Sequence, residues 1–257
     1  MKYLTIAGRQ LWSYEWANHG EPVLLLHGGL SETDSFASVM VEPLQTDLHL
    51  FAYDRAGHGY SADAPGSFYF DFQRDEAIAF ITEVIKQPVH IVGYSDGANI
   101  ALLVSIVRPD LVKSIVAIAG NFQPTGLVEL PEFDPANIPD ADRLEYAAMS
   151  PDSPETLELK IAKMHEIWKS EPDISKSELS KISCPVLVMA GDDDVVKHSH
   201  SIELYELLPL GQLAIVPGTS HGLVKEKPAM VTSLIRDFLS DQSYPITRQP
   251  IRRVNPT

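Results

Sequence analysis

Runs of apolar residues, separated by polar and glycine-rich segments, divide the chain into alternating strands and helices. Continuous runs rich in Val, Ile and Leu predict buried strands, and apolar positions three or four residues apart predict amphipathic helices. An alternating run at 10–17 is typical of an edge strand. The other predicted strands are 22–27, 48–53, 89–92, 112–119, 184–190 and 212–216.

The predicted helices alternate with these strands. Asp71 is the expected N-cap of the first helix, and Pro88 prevents its continuation. Strands that alternate with helices favour an α/β fold, with a mostly parallel central sheet covered by helices on both faces. The predicted helices are 71–86, one that follows Gly97, and 140–149, 154–170, 199–208 and 228–239.

A long segment separates two of the predicted strands. Residues 120–183 are too many for a loop, and they contain a proline-rich stretch followed by two helical patterns. We therefore expect residues 1–121 and 184–257 to form the core domain and 122–183 to form an inserted helical cap. The segment after Asp241 has three arginines, three prolines and no acidic residue, and we expect it to wrap or fray on the surface.

Composition narrows the class of protein. The 257 residues have a formal net charge of −15, which disfavours binding to nucleic acids and to anionic membranes. Cys184 is the single cysteine, so an intrachain disulfide is impossible, and its place beside a buried strand indicates core packing. The sequence has no apolar run of about 18 residues and no signal-peptide pattern, so we expect a cytoplasmic protein. We expect it to be a monomer or a homodimer, and the sequence does not distinguish the two.

The segment GYSDG at 93–97 lies between a β-branched run and a helix-forming stretch. This strand, sharp turn and helix are typical of a nucleophile elbow, in which the two glycines leave room for the turn. Ser95 is therefore the candidate nucleophile. The backbone N–H groups of Gly29 and Asp96 are the expected donors to an oxyanion.

A serine nucleophile needs a base and a group that orients the base. The segment PGTSHG places His221 on a glycine-flanked loop after one strand, and GDDD places three acids after another. Such strand ends meet at one edge of an open α/β sheet. The acid that orients His221 is one of Asp192, Asp193 and Asp194.

Five motifs together resemble the α/β-hydrolase family: HGG at 27–29, DRAGHGYS at 54–61, GYSDG, GDDD and PGTSH. The form of the elbow is similar to the serine-hydrolase branch that contains bacterial carboxylesterases and valacyclovir hydrolase-like enzymes. The resemblance implies that the acid is Asp194, the third residue after its glycine, with Asp192 and Asp193 as alternatives. It also implies that the Asp96 side chain contacts a cationic or amino group of the substrate, the alternative being a bond to nearby backbone.

Two further residues are candidates for contact with substrate. Leu30 follows the HGG motif, and Trp168 belongs to an apolar stripe with Ile161 and Met164 in the predicted cap. Such a stripe is typical of helix packing, and the alternative is that it lines an acyl pocket.

Other histidines have structural interpretations. His27 and His58 are expected to be structural residues, and Asp54 and Arg55 are expected to anchor their own loop. His198 and His200 lie close to three acids in sequence, a pattern that also occurs at zinc sites. We interpret them as part of a polar helix start, and we predict neither a metal nor an organic cofactor.

These observations predict a serine hydrolase that cleaves a small-molecule carboxylic ester, lactone or thioester through an acyl-enzyme intermediate. A serine at the elbow argues against the dehalogenase and epoxide-hydrolase branches, which carry aspartate there. Two alternatives remain open. One is a lyase or a cofactor-free perhydrolase with the same triad, and the other is a small-molecule receptor with a degenerate hydrolase site.

Overall fold

The computed structural model describes residues 1–129 and 131–244, and it contains an eight-stranded sheet. Its strands are β1 (Lys2–Ile6), β2 (Arg9–Trp16), β3 (Glu21–Leu26), β4 (Leu48–Tyr53), β5 (Val89–Tyr94), β6 (Val112–Ile118), β7 (Val186–Asp193) and β8 (Gly211–Ser220). The strand order is β1-β2-β4-β3-β5-β6-β7-β8. Pairing is antiparallel where β2 meets β1 and β4, and parallel from β4 to β8.

Helices cover both faces of this sheet. The helices are α1 (Thr33–Ala37), α2 (Val41–Leu44), α3 (Phe70–Phe80), α4 (Asp96–Val107), α5 (Asp140–Met149), α6 (Leu157–Trp168), α7 (Lys176–Leu179), α8 (His198–Leu207), α9 (Leu223–Glu226) and α10 (Pro228–Ser240). Buried side chains of α3, α4 and α8 pack on one face, and those of α1, α2, α9 and α10 pack on the other. The predicted α/β architecture is confirmed.

The central strands are apolar because both of their faces are covered. Val23, Leu24, Leu25 and Leu26 of β3 are each at most 1% exposed, and β5 is buried over the same levels of the sheet. In a parallel strand between two helical layers, successive side chains enter opposite cores, so apolar residues must follow one another directly. This arrangement brings the carboxyl ends of β3, β5, β7 and β8 to one edge.

The prediction of an edge strand at 10–17 was wrong. β2 pairs on both sides, with β1 and with β4, and β1 forms the edge. Ala7 and Gly8 connect β1 to β2 with φ angles of +47° and +76°. Two consecutive positive φ angles are typical of the two-residue turn of a tight hairpin.

Helix boundaries also differ from the predictions. The first long helix begins at Phe70 with Tyr69 as its N-cap, so Asp71 lies inside the first turn and is not the cap. After Phe80 the helix widens into a π-helical turn over Ile81–Ile85. α6 begins only after a 3₁₀ turn, and β7 begins two residues after Cys184.

Cys184 packs against the core, and burial raises the pKa of its thiol to about 11.

The chain between β6 and β7, which we call the insertion, contains α5, α6 and α7. It packs over the edge where the parallel strands end. The backbone N–H of Asp63 donates to Asp152 of the insertion at 2.9 Å, and Lys160 Nζ donates to the carbonyl of Gly57 at 3.1 Å. None of the described helices is long and apolar enough to cross a membrane. The predicted surface tail lies outside the described residues from position 245 onward.

Candidate active site

Ser95 lies on the sharp turn between β5 and α4, with φ +53° and ψ −119°. Its backbone N–H donates to the carbonyl of Ile118 at 2.8 Å, which ties the turn to β6. A Cβ atom on Gly93 would lie 2.2 Å from the Gly97 carbonyl oxygen, and one on Gly97 would lie 2.2 Å from that of Leu26. The turn therefore requires glycine at both positions, and it presents Ser95 at the edge of the sheet.

The structure brings Ser95, His221 and Asp194 into one chain of hydrogen bonds. Ser95 Oγ lies 3.1 Å from His221 Nε2, and His221 Nδ1 lies 2.7 Å from Asp194 Oδ1. Since an ionised carboxylate can only accept a hydrogen bond, this contact assigns the imidazole proton to Nδ1 and leaves Nε2 as an acceptor for the serine hydroxyl. The Asp194 side chain is fully buried, whereas that of His221 is 28% exposed.

The surroundings of Asp194 favour its ionised form. Burial alone would raise the pKa of this carboxyl group, but the hydrogen bond and the charge of His221 lower it. Backbone N–H groups of Val196 and Gly191 also donate to it, at 3.0 and 3.3 Å, and the net pKa lies below its usual range. A carboxylate held in this way can stabilise an imidazolium.

The other two acids of the GDDD motif lie elsewhere. Asp192 accepts a hydrogen bond from the backbone N–H of Thr219 at 2.9 Å, which joins the ends of β7 and β8. Asp193 is exposed, and its backbone pairs with Ser220. Asp194 is the member of the three that contacts His221.

The loop that carries His221 is held by residues that the sequence analysis did not identify. Tyr94 Oη donates to the carbonyl of His221 at 2.9 Å, and the two rings lie 5.4 Å apart. Glu226 accepts from the backbone N–H of Ser220 at 2.7 Å and from its hydroxyl at 2.5 Å. Tyr94 occupies a variable position of the elbow motif, so the motif gave no signal for this role.

The glycine loop after β3 is braced by a buried guanidinium. Arg55 is 0% exposed, and it donates from Nη1 to the carbonyl of His27 and from Nη2 to that of Gly28, the latter at 2.8 Å. Arg55 therefore anchors the neighbouring loop, and the expectation that it anchors its own was wrong. Asp54 does hold its own loop, through the Tyr60 N–H at 3.0 Å. Burial lowers the pKa of Arg55.

His27 and His58 are buried and bonded to backbone. His27 Nδ1 lies 2.8 Å from the Gly28 carbonyl, and its Nε2 accepts from the backbone N–H of Arg55 at 3.2 Å. His58 Nδ1 lies 3.2 Å from the Ala56 carbonyl. Burial lowers the pKa of both imidazoles, so both are neutral packing groups at pH 7.

His198 and His200 point to different partners. His198 Nε2 lies 3.1 Å from the Gly191 carbonyl, whereas His200 Nε2 accepts from the backbone N–H of Phe122 at 3.1 Å and its ring stacks on Phe122. Both histidines lie in the first turn of α8, as predicted, but His200 is buried and does not lie on a polar surface. Within residues 1–129 and 131–244, no group of three or more metal-ligating side chains converges.

Asp96 and Trp168 contact each other beside the nucleophile. Trp168 Nε1, from the end of α6, lies 3.1 Å from both carboxylate oxygens of Asp96. Burial raises the pKa of Asp96, and the charge of Arg55 and the indole hydrogen bond oppose that rise. A Cβ atom on Gly29 would lie 2.2 Å from Asp96 Oδ2 and 2.7 Å from Trp168 Cζ2. The carboxylate and the indole therefore pack directly on the glycine loop.

Three cavities surround this cluster. The Ser95 pocket has a volume of about 400 Å³ and is lined by Gly28, Gly29, Ser95, Trp168, His221 and Lys225. The outer chamber, of about 440 Å³, is lined by Leu30, Glu32, Glu145, Tyr146 and Lys160, and it shares Ser31, Ser35 and Lys225 with the Ser95 pocket. The Trp168 groove, of about 680 Å³, shares Trp168 with the Ser95 pocket and is further lined by Leu127, Val128, Phe133, Ala162 and His165.

The sheet, the elbow and the hydrogen-bonded cluster at the strand ends are the features of an α/β hydrolase. A sequence profile of the Alpha/beta hydrolase family matches residues 23–233. The chain therefore belongs to the α/β-hydrolase family, and this places it among hydrolases. The resemblance seen in its motifs is confirmed.

Individual relatives agree with this assignment. Putative carbamate hydrolase RutD from Caulobacter is 25% identical over 262 residues, which cover 88% of this chain and 95% of that protein. Serine hydrolase BPHL from Mus musculus is 25% identical over 241 residues, covering 88% and 82%. The solved meta-cleavage product hydrolase CumD from Pseudomonas fluorescens superposes with a TM-score of 0.79 at 19% identity, covering 93% and 97%. This structural likeness shows the shared fold.

Proposed function

We propose that the protein is a serine hydrolase that cleaves a small-molecule carboxylic ester, or a related acyl bond such as a lactone or thioester. The observation that carries the proposal is the hydrogen-bonded order Ser95, His221, Asp194, with separations of 3.1 and 2.7 Å. The relationship to a carbamate hydrolase also supports an acyl bond as the target.

The reaction proceeds through an acyl-enzyme. Ser95 Oγ attacks the carbonyl carbon while His221 Nε2 takes the hydroxyl proton, and Asp194 stabilises the imidazolium. The N–H groups of Gly29 and Asp96 donate to the oxyanion; as the first residue of α4, Asp96 has an N–H without an acceptor inside the helix.

Collapse of this intermediate releases the alcohol, which leaves with the proton from His221. Water then attacks the acyl group, with His221 as base, and frees the serine. The chemistry requires no metal or organic cofactor.

The direction of proton transfer orients the substrate. His221 must reach the leaving oxygen, so the alcohol lies on the His221 side, where Lys225 and the outer chamber with Leu30 begin. The acyl group then lies toward Trp168. In this proposal residues 122–183 form a cap over the bound substrate. An amino group on the substrate that contacted the Asp96 side chain would share this carboxylate with Trp168 Nε1.

Hydrolysis of p-nitrophenyl acetate, butyrate and octanoate by wild type and Ser95→Ala, without added metal, tests the proposal. We expect turnover by wild type, with a burst of p-nitrophenol if deacylation is slow, and a loss of about 10⁴-fold or more in the variant. Circular dichroism of the variant controls for folding. Equal rates in the two proteins would contradict the role of Ser95.

Three other measurements separate the alternatives if wild type hydrolyses no ester. Cyanohydrin cleavage would indicate a lyase, peroxide-dependent bromination in acetate buffer a perhydrolase, and ligand binding without turnover a receptor. The cytoplasmic location and the monomeric or homodimeric state stay predictions, which cell fractionation and sedimentation test.

A further inference from the structure

We propose that Trp168 determines the length of acyl chain that the enzyme accepts, by separating the Ser95 pocket from the Trp168 groove. This inference rests on the hydrolase function proposed above, and it assigns the chemistry of its acyl subsite. In the native protein a short acyl chain ends against the indole. The groove beyond it is a second acyl-binding space that the reaction does not reach.

The position of the indole between two cavities is the first observation. Trp168 lines both the Ser95 pocket of about 400 Å³ and the groove of about 680 Å³. The groove is the larger space; Leu127, Val128, Phe133 and Ala162 form its apolar part, and the exposed Glu132, Glu166 and Lys169 form its charged part. An alkyl chain gains free energy from each methylene that it buries, so this space suits a long acyl chain once it is connected to the nucleophile.

The second observation is that the indole is fixed on several sides. Its Nε1 donates to the buried carboxylate of Asp96, and its ring edge lies over Gly29, where even a Cβ atom would be only 2.7 Å away. His165 packs on it with ring centroids 5.3 Å apart. A substrate that displaced the indole would leave a buried carboxylate without this donor, which is unfavourable. The indole therefore keeps the Ser95 pocket separate from the Trp168 groove during normal turnover.

The third observation is the direction of the acyl group. His221 and Trp168 both line the Ser95 pocket. In the proposed mechanism the alcohol leaves on the side of His221, so the acyl chain extends from Ser95 toward Trp168. The indole is thus at the end of the acyl chain. Its size selects among acyl groups and has little influence on the alcohol.

The test compares kcat/KM for p-nitrophenyl acetate, butyrate and octanoate in wild type and Trp168→Ala. Each additional methylene buried in the opened groove is worth about fourfold in kcat/KM. We expect the octanoate-to-acetate ratio to rise by at least about tenfold in the variant. Active-site titration with a fluorophosphonate normalises the rates to correctly folded enzyme.

Two further variants test whether the change in ratio arises from the separation of the two cavities by Trp168. Trp168→Phe keeps a ring at the boundary but loses the donor to Asp96, and we expect its ratio to lie between those of wild type and Trp168→Ala. Ala162→Phe fills the groove. Combined with Trp168→Ala it should abolish the gain for octanoate, whereas alone it should keep the ratio of wild type.

An unchanged octanoate-to-acetate ratio in Trp168→Ala, with acetate still hydrolysed by both proteins, would overturn the inference and leave the hydrolase function intact. A gain that survives in the double variant would overturn it as well. Absence of ester turnover by wild type would instead contradict the proposed function. If the alanine variant fails to fold, Trp168→Leu, which keeps an apolar side chain over Gly29, replaces it in the same comparison.

Discussion

Ser95 combines a reactive side chain with a backbone conformation that L-residues avoid. Its φ of +53° with ψ of −119° lies in a region populated almost entirely by glycine, at an energy of about 1–3 kcal/mol. The flanking glycines and the N–H contact with Ile118 hold the residue there. The conformation that presents the proposed nucleophile therefore lowers the stability of the fold.

This strain predicts that Ser95→Gly is more stable than Ser95→Ala, although both lose the nucleophile. We expect a free energy of unfolding higher by about 1 kcal/mol for the glycine variant, after the larger backbone entropy of glycine in the unfolded chain is included. Urea denaturation at pH 7 measures the difference. A glycine variant less stable than the alanine variant would indicate that the turn is relaxed.

The choice of acid at the end of β7 predicts a sharp difference between neighbours. Asp194→Asn replaces the acceptor at His221 Nδ1 with a group that favours the wrong tautomer, and we expect kcat to fall by about 10⁴-fold. Asp193→Asn removes the same charge one residue away at an exposed position, and its kcat should stay close to that of wild type. A larger loss of kcat in Asp193→Asn than in Asp194→Asn would identify Asp193 as the acid that orients His221.

At the scale of elements, the glycine loop after β3 depends on a residue from the loop after β4. Arg55 donates to two carbonyls of that loop from a fully buried position. These bonds direct the carbonyls toward the guanidinium, which leaves the amide side of the loop for the proposed oxyanion.

Replacement of this arginine tests the brace. Lysine cannot donate to both carbonyls in the same fork geometry, so for Arg55→Lys we expect a loss of about 2–3 kcal/mol in the free energy of unfolding and a lower kcat. Arg236→Lys, at a surface ion pair with Asp47, is the matched control and should change stability by less than about 0.5 kcal/mol. Equal losses in the free energy of unfolding of the two variants would contradict the role of Arg55 in holding the glycine loop.

The elements that the sequence predicted well are those whose burial is continuous. β3 and β5 lie between two helical layers, and their mostly apolar runs, rich in valine, leucine and isoleucine, indicate this directly. β1 was missed because KYLTI is short and mostly exposed, and because its turn uses Ala7 where the usual hairpin signal is asparagine or aspartate. The start of α3 was misplaced because an acidic residue is equally compatible with an N-cap and with the first turn.

The proposed catalytic residues could be found from sequence because each follows a strand whose end lies at the same edge. Ser95, His221 and Asp194 needed only this topology to be brought together. The contacts of Trp168 with Asp96, and of Arg55 with the loop of His27, depend on side-chain packing between segments that are 72 and 28 residues apart. A local pattern contains no information about such packing, so these two roles emerged only from the structure.

For the whole molecule, neutral buried histidines predict sensitivity to acid. Burial lowers the pKa of His200 to about 4 in the folded protein; Glu203 opposes this shift, and Lys197 and Lys176 add to it. In the unfolded chain the imidazole of His200 binds a proton near pH 6.5, whereas in the folded protein it stays neutral down to about pH 4. The free energy of unfolding therefore has its full value above pH 6.5, and it decreases as the pH falls toward 4.

Protonation of His200 in the unfolded chain lowers the free energy of unfolding by up to about 3 kcal/mol by pH 4. In His200→Gln, which keeps an acceptor for the Phe122 N–H, the free energy of unfolding should fall less between pH 6.5 and pH 4.5 than it does in wild type. Denaturant titrations at several pH values measure both slopes. Parallel slopes would show that His200 does not contribute.

The order of the strands along the chain also has a consequence for biosynthesis. The serine lies on the central part of the sheet, while its acid and base follow the last two strands, and Ser95 precedes His221 by 126 residues. At about 5–20 residues per second, a ribosome completes the histidine roughly 6 to 25 seconds after the serine. In the proposed mechanism a nascent chain therefore carries a serine hydroxyl without its base for that interval, and hydrolytic competence arises only after His221, which follows β8, has been added.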